Sequence, residues 1–206
     1  MRSGLAALTV VVVSVLLLSR AGLAEPPPAM EQRDIKKAIA ALEQEKGRRS
    51  DLAVLRFASE VLGETHVNSP VGSPLTSLGA WSDNETLLSV ERSLGGCGAL
   101  DAEKEKKASA LLKEFGSELP LIPRAWTMGR EGQKAEAATL LVDELKRYDL
   151  SKGCPGEHPM YSYRRISRME VLLSCVKTFD PKRDVKPLQT LVDKAKACAA
   201  NNHAVG

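Results

Sequence analysis

The residues in this sequence able to do chemistry are three histidines, four cysteines and a few neighbouring carboxylates. His66, His158 and His203 each fall in a stretch that reads as loop or tail. No Gly-x-Ser-x-Gly elbow, His-Glu-x-x-His zinc motif or Gly-x-x-x-x-Gly-Lys phosphate loop occurs. The pairs Glu43/Glu45 and Asp143/Glu144 sit on the polar faces of predicted helices, where water solvates them. Glu157-His158 combines an acid with a base, but adjacency along the chain builds no pocket. The sequence therefore predicts a protein that is not an enzyme and needs no cofactor or metal.

Cys97, Cys154, Cys175 and Cys198 form an even set, which behind a secretory leader implies disulfides. Cys175 and Cys198 fall on two predicted helices joined by a turn near Arg183, 8 and 15 residues from it. The mismatch places them roughly 10 Å apart along the hairpin axis at about 1.5 Å per residue. A disulfide spans a Cα separation of at most about 7 Å. The expected pairing is therefore Cys97–Cys175 with Cys154–Cys198. A competing arrangement uses Cys154, His158, Cys198 and His203 as a tetrahedral zinc site, but secretion favours oxidation over thiolate ligation.

The compartment follows from the leader. Arg2 precedes a 14-residue apolar run at 5–18, and small residues flank a cut before Glu25. That run is too short for a membrane span, which needs about 20 apolar residues. Residues 1–24 thus read as a signal peptide. The protein is expected to be secreted or lumenal (periplasmic in a bacterium), without stable membrane insertion. Removing Arg2 and Arg20 leaves 27 Lys/Arg against 26 Asp/Glu, so the +3 of the full chain falls to +1. The charge is uneven: net −5 over 25–145 and +6 over 146–206.

Tyr161, Tyr163, Arg164, Arg165 and Arg168 interleave aromatics with cations, as single-strand binders do. Eight aromatics in the whole chain and a near-neutral charge argue against nucleic acid. Asn84-Glu85-Thr86 is an N-glycosylation sequon, so Asn84 is an expected glycan site.

The elements that must position these residues read as helices throughout. Residues 25–30 form a Pro-rich extended leader, 31–200 a single α-helical domain and 201–206 a frayed tail. Helices are expected at 31–46, with Ile35, Ala38, Ile39 and Leu42 on one stripe, and at 51–62, capped by Ser50 and stopped by Gly63. The interval 65–81 reads as the least structured, and a capping box at 82–85 opens a short helix to Leu94. Asp101 caps a fourth helix ending at Gly116, while Pro120 and Pro123 mark 119–127 as a connector. Helices at about 131–148, 160–179 and 187–200 complete the chain. No sustained period-2 alternation marks a strand, so the fold class is all-α: a disulfide-stabilised bundle of six or seven helices.

Such a chain is expected to act by protein–protein interaction, as a ligand, effector or inhibitor. The candidate surface is the basic C-terminal hairpin, Arg164, Arg165, Arg168, Lys182, Arg183 and Lys186, facing an acidic partner. One alternative is a carrier of a small apolar molecule or lipid, with Trp81 and Trp126 as lids over the helix stripes. The other is a peptide precursor cleaved after Arg49, since Lys46-Gly47-Arg48-Arg49 has the form of a dibasic processing site. Against the latter, the stripe of the first helix has a natural partner in the second.

Overall fold

Asp34 decides where the first helix begins. In the computed structural model, which describes residues 29–74, 86–148 and 159–203, its carboxylate accepts from the backbone N–H of Lys36 at 2.8 Å and Lys37 at 3.2 Å. The helix expected from residue 31 is thus shortened to α1, Ile35–Leu42. The residues before it form strand β1, Met30–Asp34, paired antiparallel with β2, His66–Pro70. Both strands are corrections to the reading without strands. β1 is Met-Glu-Gln-Arg-Asp and carries a single apolar side chain, so no hydrophobic alternation could reveal it.

Between the strands, α1 packs on α2, Arg49–Arg56, which continues into a π-helical turn, Phe57–Leu62. Ser50 is not the cap; Arg48 precedes the helix and pairs with Asp51 at 2.7 Å. Gly63, with φ +81°, ends the turn in a left-handed conformation that side chains disfavour. Ile35, Ala38, Leu42, Val54, Leu55, Phe57, Ala58 and Val61 are all buried at this interface and in the core beyond it.

The chain resumes with α3, Thr86–Ser93, and a 3-10 turn, Gly95–Cys97. Asp101 caps α4, Ala102–Phe115, by accepting from Lys104 N–H at 2.9 Å. The expected connector at 119–127 is instead largely helical: α5 runs Leu121–Arg130. Pro120 precedes it and Pro123 lies in its first turn, where no intrahelical N–H is required. Ile122, Ala125 and Trp126 of α5 are fully buried.

Three further helices follow: α6, Lys134–Lys146; α7, Pro159–Phe179; and α8, Lys186–His203, which extends three residues into the interval read as a frayed tail. α7 is the hub, packing against α3, the 3-10 turn, α5, α6 and α8. Phe179 closes the α5–α7 contact over Gly129, where an added Cβ would lie only 2.4 Å from its ring. One apolar core runs from Ile35 to Ala199. The fold is mainly helical, with eight α-helices among the described residues and one small two-stranded sheet.

A disulfide joins Cys97 of the 3-10 turn to Cys175 of α7, with Cα atoms 4.9 Å apart. Cys198 is also disulfide-bonded, which takes it out of the zinc alternative. Cys154 and His158 lie outside the described residues, as do Trp81 and Asn84 with the capping box at 82–85.

Candidate functional site

The six basic residues assigned to one face do not share it. Arg164 and Arg165 lie near the start of α7, and about 21 Å of helix separates Arg165 from Phe179, where the α7–α8 turn begins. Arg165 reaches over the Tyr148 ring, 6.0 Å from its centre. Arg168 turns inward: its Nε lies 3.2 Å from Glu91 on α3 and its Nη1 3.7 Å from Glu144 on α6. It is a half-buried ion-pair partner rather than a freely presented cation.

Glu91 is 1% exposed, the most enclosed charged side chain of this group. The Arg168 contact is within ion-pair range, yet neither Glu91 oxygen has a hydrogen-bond partner among the described residues. Burial therefore outweighs the guanidinium and pushes the carboxyl from its ordinary 4.5 up to about 7. Burial likewise holds the Tyr148 phenol above its usual range. Glu144 completes the group and also pairs with Arg147 at 3.2 Å. Glu91 is absent from the candidates that sequence suggests. It stands midway between Leu88 and Leu94 on a buried stripe, and a carboxylate at an apolar position is the one signal that could have found it. A carboxyl near neutrality suits proton transfer, but Glu91 lines neither the cleft beside β2 nor the groove between α5 and α6.

At the α7–α8 turn the carboxylates serve the fold. Asp180 holds Arg183 at 2.8 Å, and Asp184 accepts from Lys186 N–H at 3.0 Å to cap α8. Lys182 and Lys186 are exposed and have no ion pair among the described residues. Lys177 extends this corner and donates to Gln189 at 3.2 Å.

Two concavities are lined by described residues. An open cleft of about 480 Å³ lies between β2 and α3, with Ala58 of the π-turn among its lining residues. His66, which reads in sequence as a loop residue, begins β2 on one wall; Ser89, Arg92 and Ser93 of α3 form the other. A wider groove of about 620 Å³ runs between α5 and α6, with Met128, Ala135 and Leu140 flanked by Arg124, Glu136 and Asp143. Trp126 is no lid over it: the indole is fully buried and its Nε1 donates to the Gly98 carbonyl at 2.8 Å. No protein family, curated protein or solved structure matches this chain.

Proposed function

We propose that the mature chain is a non-enzymatic helical protein of an oxidising, secretory-type compartment that works by binding an acidic protein surface. The single observation that carries this reading is the α7–α8 corner. Lys177, Lys182, Arg183 and Lys186 outnumber Asp180 and Asp184 there, and with Asp180 paired to Arg183 and Asp184 turned to the α8 cap the corner keeps a net positive field. A binding face gains from being held rigidly, and the buried Cys97–Cys175 bridge anchors α7 to the turn after α3. The disulfide also supports an oxidising compartment, and no helix of the described residues is long and apolar enough to cross a membrane.

The test is affinity capture from the native secretion or lumen with the mature chain and with a Lys182→Glu/Lys186→Glu variant. The captured acidic protein should be lost or strongly depleted with the variant. Its association rate should fall several-fold at low salt and much less at high salt. Equal capture by both chains, or a rate that ignores the reversal at low salt, would overturn the proposal. The carrier alternative predicts a co-purifying apolar molecule in native mass spectra. The α5–α6 groove is a poor host for one, because apolar ligands are held in sites that bury most of their surface.

A further inference from the structure

Among the described residues neither outer edge of the two-stranded sheet pairs with a further strand, and the ladder register identifies the backbone groups on the β2 side. Ile35 N–H bonds Thr65 at 3.1 Å, and Val71 N–H bonds Ala29 at 2.8 Å, at the two ends of the ladder. With Arg33 opposite Val67 and Glu31 opposite Ser69, the alternation of antiparallel pairing points residues 65, 67, 69 and 71 toward β1. His66 and Asn68 therefore aim their N–H and C=O groups the other way, and neither residue has a backbone hydrogen bond on that side among the described residues. Pro70 falls in the same outward phase, where its missing N–H costs the ladder nothing.

His66 and Asn68 of that edge both line the 480 Å³ cleft, with Gln32 of β1 also on its wall. The facing wall is α3, which presents Ser89, Arg92 and Ser93 at i, i+3 and i+4, on one face. Arg92 is exposed and has no hydrogen-bond or ion-pair partner among the described residues, whereas Arg33, Arg48, Arg49, Arg56, Arg168 and Arg183 all have one. The exposed large apolar side chains among the described residues, Met30 at 47% and Val71 at 61%, both lie at the far end of this same sheet. Unpaired strand edges template the addition of another strand.

We propose that the free edge of β2 and the facing wall of α3 form a docking site for an extended peptide segment bearing a carboxylate, which adds to the sheet as a third strand. His66 and Asn68 supply two donors and two acceptors to the peptide backbone. Arg92 takes the carboxylate of an Asp or Glu side chain. A strand beside β2 would run about 4.8 Å from it, within the cleft. The site shares no residue with the Lys182/Lys186 corner, so either proposal can fail alone.

The test pans the mature chain against a displayed library of random heptapeptides and synthesises the most enriched sequence. That peptide should contain Asp or Glu, and binding should slow amide hydrogen exchange at His66 and Asn68 at least tenfold. The Val67 and Ser69 amides, already bonded to β1, should not change. Arg92→Glu, at an exposed position, should weaken binding at least tenfold, and so should Asn68→Pro, which removes an edge donor. Lys182→Glu/Lys186→Glu should leave the affinity unchanged. The proposal is overturned if no peptide is enriched, or if binding survives Arg92→Glu. It is equally overturned if the His66 and Asn68 amides already exchange slowly in the peptide-free chain, because another segment then holds the edge.

Discussion

Glu91 shows how one side chain can tie stability to pH. Its folded carboxyl titrates near 7 instead of 4.5 because burial outweighs Arg168. Between those values the native state keeps a proton that the unfolded chain has released. Stability therefore falls as pH rises through that window, and the full cost is present above about 7. At about 1.4 kcal/mol per pH unit, the cost is on the order of 3 kcal/mol. Glu91→Gln keeps the shape without the charge, so its advantage over the natural protein should grow by that amount from pH 4.5 to pH 8. Urea titrations at the two pH values would measure it. A constant difference would mean that Glu91 titrates alike in the folded and unfolded chain. Residue-level reading of the sequence succeeded where a side chain acts alone, as with the Asp101 cap. It failed for Arg168, because its two acidic partners lie 77 and 24 residues away and only the helix packing brings them to it.

The elements divide by how their information is stored. Helices α4, α6, α7 and α8 carry apolar stripes and were legible from periodicity alone. α5 was not, since two prolines in nine residues look like a connector until they are placed before and within a first helical turn. β1 and β2 store theirs in pairing partners 32 to 40 residues apart, which no local pattern reveals. The same logic bears on the dibasic segment. Cleavage after Arg49 would remove β1 and α1, stripping Ile35, Ala38 and Leu42 from the core, and would leave β2 unpaired. Arg49 itself bonds Glu118 at 2.5 Å and the Glu114 carbonyl at 2.9 Å, so it is engaged in the fold. Burying those side chains contributes several kcal/mol at about 25 cal/mol per Å² of apolar surface. A chain beginning at Ser50 should therefore lose its cooperative thermal transition when followed by circular dichroism. A sharp transition within a few degrees of the intact protein would instead favour the peptide-precursor reading.

At the scale of the whole molecule, the Cys97–Cys175 bridge does what no single helix contact can. It links residues 78 apart, and α4, α5 and α6 lie wholly inside the loop it closes. Helix contacts act only in the folded state, whereas a cross-link also restricts the unfolded chain. For a loop of this length the chain-entropy relation gives about 4–5 kcal/mol at 25 °C. Typical domains are stable by roughly 5–15 kcal/mol, so the bridge represents a large fraction of the total. Both cysteines are fully buried, so alanine at each position also leaves a small void. Cys97→Ala/Cys175→Ala should consequently unfold at a clearly lower urea concentration, with a loss of at least about 4 kcal/mol. Reducing agent also breaks the bridge at Cys198, so it should cost at least as much, and the Cys97–Cys175 part of the loss should appear only after partial unfolding exposes that bridge, with a lag that shortens as urea rises. Immediate reduction of Cys97–Cys175 in the native state would show that the 3-10 turn opens readily. A double variant as stable as the natural chain would show that its unfolded state is already compact, leaving the cross-link little entropy to remove.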